Sequence, residues 1–329
     1  MDYKKLGQSD LLVSRICLGC MSFGDRNRQG HSWTLDEAES RRIIRHALDQ
    51  GINFLDTAAG YQEGTSEAFI GRAIRDYAKR EDIVLATKVF PRRAGQIDPA
   101  VSGGDFIRKM LDASLKRLGT DYIDLYILHA WDPHTPIEET MEALNRAVLA
   151  GQVREIGISN CFAWQLAKAN EIAKRHGWKQ FISMQGHYNL IFREEEREMI
   201  PYCRDSGIAL TPYSPLASGR LAKPQTEQTK RLREDRIAMS KYDASAEADA
   251  LIISRVAELA DEYELPPAQI ALAWLLSKVD APILGATSLR QIDDAVASLD
   301  VRLSADEIHY LEEAYVPHPL VGVMADLDE

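Results

Sequence analysis

FLDTAAGY, residues 54–61, decides how the rest of the chain is read. An apolar run ends in a carboxylate, Asp56, and a phenol, Tyr61, follows five positions later. Three other stretches close in a similar way: IVLATKV carries Lys88, YIDLYILHA carries His129, and EIGISN carries Asn160, each a polar group at the end of a short β-like run. A parallel β/α barrel gathers the C-terminal ends of its strands on one face, where they meet ligands. The pattern therefore implies an architecture and a place for chemistry together.

Working outward, residues 3–6 and 11–14 flank a turn around Gly7-Gln8-Ser9-Asp10 and predict an N-terminal β-hairpin. Strands are expected to begin at Ile16, Phe54, Val84, Ile123, Ile156, Ile182, Ile208 and Ile283, each preceding a helical pattern. Thr34-Leu35-Asp36-Glu37 reads as a capping box, and Gly51 as the left-handed residue past that helix. Thr135-Pro136-Ile137-Glu138 reads as a second capping box, with proline at the first helical position. A continuous helix is expected over residues 194–205. Eight strand–helix units with nearly continuous apolar strands predict an α/β protein, a (β/α)8 TIM barrel forming one domain over residues 1–329. A doubly wound sheet is the competing architecture, but no G-x-G-x-x-G follows the first strand. One connection breaks the rhythm. After the seventh barrel strand, residues 216–247 are polar, charged and longer than an ordinary loop, which predicts a binding lid.

The composition, 45% hydrophobic and 27% charged in 329 residues, is that of a globular protein. A net charge of -11 argues against nucleic acid or an anionic membrane surface as a partner. Cys17, Cys20, Cys161 and Cys203 are too few and too scattered for a disulfide framework, so the C-x-x-C at 17–20 reads as packed thiols. No run approaches the roughly 20 apolar residues of a membrane span, and residues 1–14 lack the apolar stretch of a signal peptide. A soluble, cytoplasmic protein with no metal centre is expected.

Asp56, Lys88 and His129 are ionisable groups in apolar surroundings, and burying each charge costs several kcal/mol unless it is paired. Asp56 and Lys88 lie on the second and third strands and are placed to pair; a structural salt bridge is the plain alternative. An ammonium near Tyr61 favours the phenolate and is expected to lower the phenol's pKa. The phenol would then give a proton to a carbonyl oxygen that His129 also orients. Such a group polarises a carbonyl but supplies no hydride, so a cofactor is required.

With these residues in place, the chain resembles the aldo-keto reductases from near Leu18 to the last helix. The resemblance implies Asp56, Tyr61, Lys88 and His129 as the catalytic set. It implies Ser159, Asn160 and Gln185 at the nicotinamide carboxamide, Tyr213 on the nicotinamide ring, and Ser214, Leu216, Gly219 and Arg220 along the pyrophosphate. LGATSLRQIDDA resembles the family's phosphate-binding turn and implies Gly285, Thr287, Ser288 and Gln291, with Asp294 toward the adenine and Arg290 as a substitute contact to a 2′-phosphate. Met21 is placed beside the cofactor, and Trp33 and Trp131 in the substrate pocket. NADPH is the implied cofactor, NADH a compatible one, and a small-molecule carbonyl compound the implied substrate. LGCMSFGDR, WTLDEA and HAWDPHTPIEET look most like bacterial members of the branch related to potassium-channel β subunits, including the reductase associated with 1-deoxyxylulose 5-phosphate. Two rival readings are an NADP(H)-binding sensor or accessory subunit and a Schiff-base lyase acting through Lys88.

Overall fold

A short antiparallel hairpin leads the chain, β1 (Tyr3–Lys5) and β2 (Leu12–Ser14), with Tyr3 opposite Ser14. In the computed structural model, residues 1–28, 31–92, 97–98, 100–222 and 234–325 are described. Eight parallel strands follow: β3 (Cys17–Gly19), β4 (Phe54–Asp56), β5 (Val84–Val89), β6 (Ile123–Leu128), β7 (Val153–Ser159), β8 (Phe181–Gln185), β9 (Ala209–Leu210) and β10 (Ile283–Gly285). They pair in the order β10-β3-β4-β5-β6-β7-β8-β9. The sheet curls until its ends meet, where Ile283 N donates to Pro212 O at 2.9 Å and Ala281 N to Leu210 O at 3.3 Å. This is the expected (β/α)8 barrel.

The helices between strands are α1 (Glu37–Asp49), α2 (Thr65–Tyr77), α3 (Gly103–Leu118), α4 (Ile137–Leu149), α5 (Ala163–His176) and α6 (Met199–Asp205). The later part of the 216–247 connection carries α7 (Arg236–Tyr242) and the start of α8 (Ala246–Glu262), and α9 (Pro267–Lys278), α10 (Leu289–Ala297) and α11 (Ala305–Glu312) follow. Residues 223–233, the middle of the expected lid, lie outside the described residues. Among the described residues no helix is long and apolar enough to cross a membrane.

Strand alternation sorts the side chains into two cores. Cys17, Phe54, Val84, Ala86, Leu125, Ile127 and Ile283 fill the barrel with Leu6, Leu11 and Val13 of the hairpin, which thus plugs its N-terminal end. Their neighbours in sequence, such as Leu18, Leu55, Leu85 and Tyr126, face the helices. Cys17 and Cys20 accordingly fall in separate clusters, and all four cysteines are free and buried.

Three local expectations change. The first helix is capped by Asp36, with Glu39 returning the bond, so its capping box begins two residues after Thr34. Pro136 is itself the N-cap of α4 and Thr135 Oγ1 donates to Asp132 Oδ2 at 2.6 Å, so no capping box forms there. The segment 194–205 splits into a single tight turn, Glu194–Glu196, and α6. Gly51 does adopt the left-handed conformation, with φ 84°.

Candidate active site

Register brings the ionisable groups together. Asp56 pairs with Ala86, and Lys88, two residues further along the same inward face, reaches diagonally back to it. Lys88 Nζ is buried and donates to Asp56 Oδ1, to Thr57 O at 2.8 Å and to Tyr61 Oη at 3.2 Å. Asp56 Oδ2 accepts from Gln185 Nε2 at 3.0 Å. The three ammonium donors and both carboxylate oxygens are therefore engaged, as a buried ion pair requires.

Burial opposes the Lys88 charge, but Asp56 and Tyr61 together outweigh it and hold the ammonium above its ordinary range. For Tyr61 the balance reverses. Burial raises the phenol above its usual value, and Lys88 offsets only part of that rise. The expectation of a lowered phenol pKa is thus corrected, because desolvation exceeds the effect of the ammonium. Tyr61 stays protonated at neutral pH; it accepts a bond from Lys88, and among the described residues its own hydrogen has no acceptor. The His129 ring stands edge-on to Tyr61 at 5.8 Å between centroids, and to Phe90 at 4.9 Å. Burial and then Lys88 push the histidine well below 6.5, so it is neutral, and Nδ1 is buried without a partner among the described residues.

The turn carrying Tyr61 is strained and braced. Thr57 N donates to Ala86 O and Ala59 N to Lys88 O, extending the β4–β5 pairing past Asp56. Gln62 and Glu63 then take left-handed φ of 47° and 54°, unfavourable for side chains of this kind. The buried Gln62 side chain holds that shape by donating to Asp25 O at 3.0 Å and accepting from His31 N at 2.8 Å. Sequence reading passed over Gln62; a long polar side chain directly after the Tyr61 turn was the available signal.

At the ends of β7 and β8, Ser159 lies in register with Gln185 and donates to its carbonyl at 2.7 Å. Asn160 has φ 47°, donates to Ser159 Oγ and His129 O at 2.8 Å each, and accepts from Tyr213 Oη at 2.9 Å. The expected carboxamide and ring contacts thus converge with His129. Beyond Tyr213 the chain turns sharply, with positive φ at Ser214, Ala217, Ser218 and Gly219. Leu216 precedes this tight turn and packs on the core. Arg220 ends it: the guanidinium lies over the Tyr242 ring at 4.8 Å, pairs with Asp243 at 2.5 Å, and leaves Nη1 buried without a partner among the described residues.

The final turn differs from expectation. Gly285 closes β10, but the Thr287 and Ser288 amides donate to Gln291 Oε1 at 2.7 and 3.1 Å rather than standing free for a phosphate. Asp294 accepts from Gln269 at 3.1 Å and lies 3.5 Å from the exposed Arg290, so it too is engaged within the protein. Met21 is half-buried after β3, and Trp33 is buried with its ring 4.7 Å from His31. Trp131 N donates to Asn160 O at 3.2 Å, and its ring lies 6.1 Å from the exposed Trp164, which sequence reading had not placed at the site.

The family model described as "Aldo/keto reductase family" matches residues 15–316. The chain belongs to that family. It is 44% identical to versiconal hemiacetal acetate reductase of Aspergillus parasiticus, over 97% of this chain and 99% of that protein. An aldo-keto reductase of Fusarium vanettenii is 40% identical over 98% of this chain and 93% of its own length. A Schizosaccharomyces pombe protein that carries an aryl-alcohol dehydrogenase name is 41% identical, over 97% of each. These relatives are fungal, so the expected bacterial branch related to channel β subunits finds no support in them. The crystal structure of a thermostable aldo-keto reductase in complex with the inhibitor epalrestat superposes with a TM-score of 0.76 at 28% identity, covering 95% of this chain and all of that one. An oxidoreductase acting on carbonyl or alcohol groups follows from these relationships.

Proposed function

We propose that the protein reduces aldehydes or ketones with NADPH, with Tyr61 as the proton donor. One observation carries this reading: Lys88 donates to the Tyr61 oxygen while, among the described residues, the phenol hydrogen is left without an acceptor at the mouth of the barrel. A carbonyl oxygen placed there receives that hydrogen. As negative charge develops on the oxygen, Tyr61 transfers its proton, and the Lys88 ammonium, held by Asp56, stabilises the phenolate left behind. The neutral His129 orients the same oxygen without competing as a charge.

The cofactor assignment has its own support. Ser159, Asn160 and Gln185 bring amide and hydroxyl groups together at the strand ends, where a carboxamide would exchange with the bonds they already make, and among the described residues Arg220 keeps a buried, unpartnered Nη1 suited to a phosphate oxygen. Bound nicotinamide supplies the hydride. Arg220 and the exposed Arg290 are the cations we assign to the 2′-phosphate that separates NADPH from NADH. A Schiff-base lyase is disfavoured because its lysine must be neutral to attack, whereas Asp56 keeps Lys88 charged. Similarity to the aryl-alcohol dehydrogenase-named relative makes aromatic aldehydes the first substrates to try. The test is aldehyde-dependent oxidation of NADPH, repeated with NADH, across aromatic, aliphatic and sugar aldehydes; tight NADPH binding without any turnover would favour the sensor reading instead.

A further inference from the structure

Three successive residues at the C-terminal end of α7 reach the loop that follows β9. Lys241 Nζ lies 4.8 Å from the centre of the Tyr213 ring, Asp243 pairs with Arg220, and between them Tyr242 is almost completely buried. Two contacts of Tyr242 bear on this loop. Its ring face carries the Arg220 guanidinium at 4.8 Å, and its hydroxyl lies 2.6 Å from His187 Nε2.

His187 is the middle member of a stack of rings. Phe192 lies parallel to it at 4.2 Å and 12°, and Tyr213 on the way to the cofactor loop at 5.3 Å and 9°, while Tyr242 meets it edge-on at 79°. Asn189 Nδ2 donates to the Tyr242 oxygen at 3.2 Å and to Ser214 O at 2.9 Å, so one amide ties the tyrosine to the loop after Tyr213. The imidazole is neutral, because burial and then the neighbouring Lys241 push it well below 6.5. A neutral ring behind Tyr213 places no extra positive charge against an oxidised nicotinamide.

We propose that Tyr242 is a positioning residue for the cofactor: its hydroxyl fixes His187, which backs the Tyr213 ring, and its face holds Arg220. One side chain thereby sets the platforms for the nicotinamide and the phosphate ends at once, and ties both to α7. Nothing in the sequence marks Tyr242, which lies about 30 residues from the loop it organises. The inference rests on the roles assigned above to Tyr213 and Arg220.

Two variants separate the contacts. Tyr242→Phe removes the hydroxyl and keeps the ring; Tyr242→Leu removes both. Binding is measured by the fluorescence of NADPH, and by displacement of NADPH with the 2′-phosphate of ADP-ribose, which lacks nicotinamide. Losing one buried hydrogen bond is expected to weaken NADPH by about three- to tenfold. Tyr242→Phe should therefore weaken NADPH by that factor while leaving the nicotinamide-free compound within about twofold of wild type, and Tyr242→Leu should weaken both. In steady state Tyr242→Phe should raise KM for NADPH and leave KM for the aldehyde unchanged, a split that a purely structural role would not produce. Unchanged NADPH affinity in a folded Tyr242→Phe protein overturns the proposal, as does an equal loss of both compounds. Failure of the wild-type protein to bind NADPH or NADH refutes the functional reading beneath it instead.

Discussion

Replacing Lys88 by methionine tests the electrostatic core of the site. The change keeps an unbranched side chain, one atom shorter, and removes a charge that is buried beside Asp56. At a separation of roughly 3 Å and an effective dielectric of about 20, the lost attraction is about 5 kcal/mol. Desolvation of the lysine, worth several kcal/mol, is removed with it, but Asp56 stays buried with Gln185 Nε2 as its remaining side-chain donor. Breaking one side of such a pair costs about 3–5 kcal/mol, so Lys88→Met should unfold at clearly lower temperature and urea concentration. Adding Asp56→Asn removes the stranded charge, and the double variant should recover most of the lost stability while remaining inactive. The assays are thermal and urea melts followed by circular dichroism, with NADPH oxidation for activity. A double variant as unstable as Lys88→Met, or a single variant as stable as wild type, would refute the reasoning.

Tyr61→Phe deletes the proposed acid and keeps the ring; kcat for carbonyl reduction should fall by about 10²–10⁴, with NADPH affinity, read by fluorescence, little changed. His129 and His187 have folded pKa values well below 6.5 while the unfolded chain binds those protons near that pH, so their contribution is complete above about 6.5 and is lost as pH falls toward the folded values. The thermal midpoint should therefore decline from pH 6.5 to 5, and less steeply in His187→Phe; an identical slope would count against a neutral buried His187. Gly71 lies in α2 where a Cβ would stand 2.1 Å from Leu118 O, so Gly71→Ala should destabilise by about 1–3 kcal/mol or more, measured by urea melts, since backbone cannot rotate out of the way.

Much of the architecture was legible because it depends on local patterns repeated eight times. Apolar runs of strand length, helices with a core-facing stripe and glycine past α1 each report on a few neighbouring residues, and their alternation leaves few topologies. Helix starts were read less well: Asp36 rather than Thr34 caps α1, and the Thr135 hydroxyl donates to the Asp132 carboxylate instead of capping α4, choices that depend on where each side chain points once folded. The turn at residues 285–291 was expected, from resemblance, to leave its amides free for a phosphate, yet Gln291 is bonded to those of Thr287 and Ser288.

Sequence by itself determined that Asp56, Lys88, His129 and Asn160 end strands, and strand ends of a barrel share one face. The direction of the Tyr61 shift needed the tertiary structure, since desolvation depends on everything packed around the phenol and not on the nearest charge alone. So did the bracing of Tyr61 by Gln62, and the stack through His187 to Tyr242, which joins residues from β8's end and from α7. Such contacts have no period and no fixed spacing. They exist only once the barrel has closed and brought its loops to the same mouth.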